Sequence, residues 1–154
     1  VAWADANSAQ YNEGYEHTGY FNNKYIPRAG YSKNTTELNY ENNYRYIRYA
    51  DVLLMAAEAN NRGGISDSKA QTYLNQVRSR AGVSPMNETG SALTQAIWDE
   101  RRLEFAGEGH RFFDLVRTGQ AANEISGFVA GKHEVFPIPQ TEIDISGLTQ
   151  NSGY

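Results

Sequence analysis

The spacing of apolar residues from position 46 onward leaves this chain few options. In "YIRYADVLLMAAEANNRGG", Ile47, Ala50, Leu54 and Ala57 recur at helical intervals with Leu53 beside them, and Gly63-Gly64 stop the run. "SDSKAQTYLNQVRSRAG" restarts with Ser66 or Asp67 as cap and places Ala70, Tyr73, Leu74, Val77 and Ala81 on one face, closed by Gly82. A tight glycine turn between two such helices makes an antiparallel hairpin. A third helix is expected over about 91–106, with Leu93, Ala96, Ile97 and Phe105 inward, and "GEG" at 107–109 breaks it. "HRFFDLVRTG" then predicts a shorter fourth helix burying Phe112, Leu115 and Val116. Two hairpins in succession, each about 35 to 40 residues long, approach the period of a tetratricopeptide repeat, although the strict residue pattern of such repeats is absent.

The fold expected is therefore mainly α, in three parts of one domain: a loop and strand segment at 1–45, a scaffold of helical hairpins at 46–125, and a loop tail at 126–154. The front segment holds eight asparagines before Arg45 and, counted through Tyr49, nine of the eleven tyrosines. Glycine, proline and asparagine pairs punctuate it, helical periodicity is absent, and "TGYFNNKYI" is its best strand candidate. Pro137 and Pro139 predict an extended tail with a short strand. The first helix carries Ile47, Tyr49, Val52, Leu53, Leu54 and Met55 and so is apolar on more than one side. A helix of that kind is packed on both sides, and alone it would expose a patch of several hundred Å².

The bulk numbers exclude several classes of function. A formal charge of -4 and a pI near 5.4 give no basic face for nucleic acid. Without cysteine there is no disulfide frame, thiolate chemistry or cysteine-ligated zinc. No apolar run approaches the roughly 20 residues that span a bilayer as a helix. No phosphate loop or nucleophile elbow is present, and His17, His110 and His133 form no Glu-x-x-His pair, so neither cofactor nor metal is expected.

The chemistry that remains lies in "ERRLEFAGEGHRFFDLVRTG", residues 100–119. Glu100, Glu104 and Glu108 are four apart and share a helical face. Two such carboxylates are the reagents of a glycoside hydrolase, with Glu100 and Glu104 as the pair, although adjacent turns of one helix seldom flank a sugar from opposite sides. The other reading is bracing. Arg101, Arg102, Arg111 and Arg117 lie among Glu100, Glu104, Glu108 and Asp114, beside Phe105, Phe112 and Phe113. Arginine outnumbers lysine ten to four, and its planar fork grips a carboxylate by two bonds and tolerates partial burial. The spacing favours this structural ion network, in which Arg111→Ala would cost about 2 to 4 kcal/mol by leaving buried acids unpaired. In the front segment, Trp3, Tyr11 and Tyr15 are candidates either to stack on sugar rings or to cover the apolar first helix.

Five ordered motifs then carry a resemblance. "YIRYADVLLMAAEA", "LNQVRSRAG", "IWDERRLEFAGEGHRFFDLVRTG", "VFPIPQTEI" and "QNSGY" resemble the SusD/RagB family in order and spacing, with "TGYFNNKYI" matching a strand before the first of them. Coverage runs from about residue 18 to Tyr154, and the departure is Ser152, where the family usually has proline. The resemblance implies a tetratricopeptide-like scaffold in which Glu100, Arg101, Arg102, Glu104, Glu108, Arg111, Asp114 and Arg117 are structural. It implies a surface lipoprotein of the bacterial outer membrane that is not an enzyme. Such a protein captures glycans or other nutrients for a SusC-like TonB-dependent barrel transporter. Family members are longer, so it further implies that these residues form the C-terminal part of such a protein, with the lipid anchor outside this chain. A helical-repeat adaptor that binds peptides is the alternative of a third class.

Overall fold

The computed structural model describes Lys24 and residues 43–154. The chain divides into two compact units, Val1–Tyr46 and Ile47–Tyr154. Of the first, the described residues include Tyr44 and Tyr46, whose rings meet edge to face with centroids 6.0 Å apart. The strand expected at "TGYFNNKYI" lies, apart from Lys24, outside the described residues.

Three helices build the core of the second unit. Helix α1 spans Tyr49–Arg62, α2 Asp67–Arg80 and α3 Gly90–Glu104, and each packs on the other two. Leu53, Leu54 and Ala57 of α1 meet Ala70, Leu74 and Val77 of α2 and Leu93, Ala96 and Ile97 of α3, with Phe105 closing one end. These are the periodic residues of the sequence, because a stripe repeating every three to four residues faces one side of a helix.

The turns follow from local chemistry. After α1 the Gly64 N–H donates to the Asn61 carbonyl and the Ile65 and Ser66 N–H groups to that of Asn60, at 2.9 to 3.1 Å. Gly64 has φ +65°, a left-handed conformation that costs any residue with a Cβ about 1 to 2 kcal/mol. A Cβ on Gly63 would stand 2.6 Å from the Ala59 carbonyl oxygen, so both glycines of the pair are needed, for different reasons. Ser66 caps α2 by accepting from the Lys69 N–H at 3.2 Å. Asp67 then accepts from the Gly90 N–H and from the Asn61 amide, each at 2.7 Å, which ties the end of α1 to the start of α3.

Three short helices follow: α4 Arg111–Arg117, α5 Ala121–Glu124 and α6 Gln140–Ser146. No strand is present among the described residues. Among the described residues the extended stretch before α6 has no neighbouring strand to pair with. Its backbone is met by a side chain instead: Gln150 accepts from the Ile138 N–H at 2.8 Å and donates to the Ile138 carbonyl at 2.9 Å. The tail is thus loop and short helix where a short strand was expected.

Other details also differ from the periodic reading. Arg48 is the N-cap of α1 in extended conformation, so Ile47 precedes the helix and is exposed rather than part of its buried stripe. Ala81 is the exposed C-cap of α2, and Phe112 and Val116 are half-buried while Leu115 is buried. On the side of α1 away from the core, Tyr49, Val52 and Met55 remain 73%, 45% and 47% exposed. This apolar flank lies where the first helix was expected to show one.

Candidate functional site

The buried face of α1 is not purely apolar. Asp51, Glu58 and Asn61 share it with Leu54, and α3 buries Glu100 and Arg101 one turn beyond Ile97. Charge inside packed helices must be paired or it is prohibitively costly. Here it is paired by arginine, in three groups.

The first group centres on Arg48. Its Nε and Nη2 donate to the two carboxylate oxygens of Glu108, each at 2.8 Å, and its Nη1 donates to Glu104 at 2.7 Å. Nη2 also reaches the Glu104 carbonyl at 3.1 Å, and Arg80 makes a further, short contact with the Glu104 carboxylate. Burial pulls the Arg48 pKa down, but the bonds to Glu108 and Glu104 outweigh it and raise the net value. The second group centres on Arg101, which donates to Asp51 at 2.6 Å and to Asp114 at 3.1 Å. Arg117 continues it, joining Asp114 to Glu58 at 2.8 Å each, and Arg62 donates to the same Glu58 oxygen, Oε1, at 2.9 Å. Between the two groups lies the Phe105 ring, with the Arg48 and Arg101 guanidiniums 4.9 and 5.0 Å from its centroid. In the third, Arg78 grips Glu100 at 2.6 Å and the Ser84 carbonyl at 2.8 Å, joining α2 to α3.

Of the residues singled out from sequence, the structure brings Glu100, Arg101, Glu104, Glu108, Asp114 and Arg117 into these groups. Arg102 is exposed and pairs with no acid among the described residues. Among the described residues Arg111 makes one pair, with Glu124 at 3.2 Å, and both side chains are well open to solvent, at 39% and 47% exposed. The cost expected for Arg111→Ala is therefore corrected. A rim pair contributes at most about 1 kcal/mol, so the variant should melt within a few degrees of wild type, and thermal unfolding checks this. Arg48, Asp51, Glu58, Arg62, Arg78 and Arg80 were not anticipated. Asp51 and Glu58 were the visible signal: they are seven apart with Leu54 between them, in phase with the core stripe. Trp3, Tyr11 and Tyr15 lie outside the described residues.

Glu58 gives the network a pH signature. Burial pushes its carboxyl up, but hydrogen bonds from Arg117 and Arg62 outweigh this, aided by the nearby Trp98 indole N–H, whose geometry falls short of a full bond. The net result is a fall from the ordinary 4.5 to about 2. A depressed carboxyl contributes stability that is present above the unfolded value and lost as pH falls through the folded one. The melting temperature should therefore decline between pH 4.5 and about pH 2, and Glu58→Gln should flatten that part of the curve.

Open clefts flank this network. One of about 390 Å³ lies between α1 and Arg101, floored by Glu58 and Arg117. Another, of about 350 Å³, lies between the start of α1 and Arg80 on α2. A third, of about 500 Å³, opens at the loop after α3, beside Arg102, Arg111 and Phe112. Neither Glu100 nor Glu104 lines any of these clefts. Among the described residues no group of three or more His, Asp or Glu side chains is placed to hold a metal ion, and no helix is long and apolar enough to cross a membrane.

The family model described as the SusD family matches residues 1–134. The chain belongs to the SusD family. Among curated SusD-like relatives, protein P25 of Formosa agariphila is 32% identical over 141 residues, covering 79% of this chain and 27% of its own length. P2 of the same organism is also 32% identical, over 151 residues, covering 85% of this chain and 30% of its own length. Among solved structures, surface glycan-binding protein A from Bacteroides thetaiotaomicron superposes with a TM-score of 0.77 at 38% identity, covering 98% of this chain and 36% of its own. A structure of that protein in complex with laminarihexaose superposes with a TM-score of 0.76, over 97% of this chain and 35% of its own. This SusD-family chain thus spans about a third or less of the length of these relatives.

Proposed function

We propose that this chain serves as helical scaffold in a surface protein that captures glycans at the bacterial outer membrane and passes them to a SusC-like TonB-dependent barrel transporter. The observation that carries the proposal is its likeness, over nearly its whole length, to a surface glycan-binding protein that holds laminarihexaose. Membrane attachment in this reading is through a lipid anchor outside the chain, and Trp3, Tyr11 and Tyr15 are the side chains proposed to stack on sugar.

Binding without catalysis is supported by how the candidate carboxylates are used. A glycosidase acid must give up a proton to the leaving oxygen, and its partner must face the sugar from the far side. Glu100 is held by Arg78 at 2.6 Å, and Glu104 is shared between Arg48 and Arg80. Both are engaged by guanidiniums, and neither lines the three clefts described above.

Affinity electrophoresis against a panel of polysaccharides tests the reading, with laminarin included. Retardation without release of reducing ends is expected, as is recovery of a barrel transporter from outer-membrane extracts. Hydrolysis of any polysaccharide that is abolished by Glu104→Gln would overturn it in favour of an enzyme.

A further inference from the structure

We propose that the cleft at the loop after α3 is a binding site for an acidic sugar unit, one bearing a carboxylate or a sulfate. The inference rests on the glycan-capture reading and narrows it. The cleft is about 500 Å³, within the usual range for small-molecule sites. Arg101, Arg102 and Arg111 line it against a single lining acid, Asp114. Two of the three are paired with acids, Arg101 with Asp51 and Asp114 and Arg111 with Glu124, which leaves Arg102 as the lining cation with no acidic partner among the described residues.

The three arginines are not equivalent. Arg101 is consumed by Asp51 and Asp114 and acts as a fixed wall. Among the described residues Arg102 is exposed with no acidic partner, and Arg111 is held by its pair with Glu124. Elsewhere on this face of the molecule arginine is matched to carboxylate, so an unmatched guanidinium at the mouth of a cavity marks where an outside anion fits. The fork of arginine grips a carboxylate or sulfate by two parallel bonds.

Aromatic surface beside these forks supplies the other half of sugar recognition. The Phe112 ring forms part of the wall and lies 6.4 Å from that of Phe136, which is 75% exposed. The apolar C–H face of a pyranose stacks on such rings while its charged substituent turns toward the arginines. At Gly109 the backbone has φ +80° and nothing within 4 Å of where a Cβ would stand, which keeps that rim open.

Isothermal titration of the 154-residue chain tests this with trimers of galacturonic acid, sulfated galactose and neutral galactose, and with laminarihexaose. An acidic trimer should bind about tenfold or more tighter than the neutral one, with affinity falling as salt rises. Comparison of the two acidic trimers shows whether carboxylate or sulfate is preferred. Arg102→Ala should cut acidic binding about tenfold, Arg102→Lys should restore part of it, and neither should shift the melting temperature, because Arg102 holds no other residue. Unchanged acidic binding in Arg102→Ala, or acidic trimers no tighter than neutral, overturns the proposal. If laminarihexaose binds while acidic trimers do not, this site falls and glycan capture stands. If no sugar binds this chain, the site falls, and glycan capture is judged separately by the affinity electrophoresis of the whole surface protein.

Discussion

Arg101→Ala is expected to destabilise the chain by about 3 to 5 kcal/mol, the usual cost of removing one partner from a buried ion pair. Arg101 is 5% exposed and holds Asp51, itself 7% exposed, at 2.6 Å. Truncation leaves Asp51, on the packed face of α1, without its cation. Asp114 fares better because it keeps Arg117 at 2.8 Å. The loss is thus mainly that of an uncompensated Asp51 charge. The double variant Asp51→Leu/Arg101→Met should recover much of the stability, since replacing both partners removes the stranded charge. Urea unfolding of the three variants measures this. A loss below about 1 kcal/mol in Arg101→Ala would show that the pair is solvated and the bracing reading wrong.

Removal of the Arg48 side chain should have an effect of the same size, about 3 to 5 kcal/mol, for a related reason. Arg48 precedes α1, yet it grips Glu108 by two bonds across a separation of 60 residues and Glu104 across 56. Those side chains are 3% and 9% exposed. Without the guanidinium, the buried Glu108 in the loop after α3 would lose the two charged hydrogen bonds that Arg48 makes to it. Arg48→Lys is the informative companion. It keeps the charge but not the planar fork, so it should still cost about 2 kcal/mol through the lost charged hydrogen bonds. Wild-type stability in Arg48→Lys would mean that only net charge matters there.

Helices α1, α2 and α3 were legible because local rules dictate them. A stripe such as Ala70, Leu74 and Val77 has one solution, a helix buried on that side. Gly63-Gly64 and Gly82 stop the chain by backbone conformation, which needs no distant partner. The tail was less legible because an extended run such as "VFPIPQ" becomes a strand only when a neighbour offers a ladder. Here a glutamine side chain takes that place.

The charged stretch divides along the same line. Its density of arginine and glutamate beside phenylalanine is a property of the sequence, and so is the pairing logic it suggests. Which acid each arginine grips is decided only where helix faces meet: Arg101 finds Asp51 at a separation of 50 residues, and Arg117 finds Glu58 at 59. Arg101 and Arg102 are neighbours with identical side chains, but one residue turns about 100° around a helix of 3.6 residues per turn. That rotation sends the first into the core to hold two aspartates and the second into solvent at the mouth of a cleft. Periodicity separates the two, since Arg101 is in phase with Leu93, Ile97 and Phe105 and Arg102 is not; which acids Arg101 meets is decided only by how α1 and α4 pack against α3.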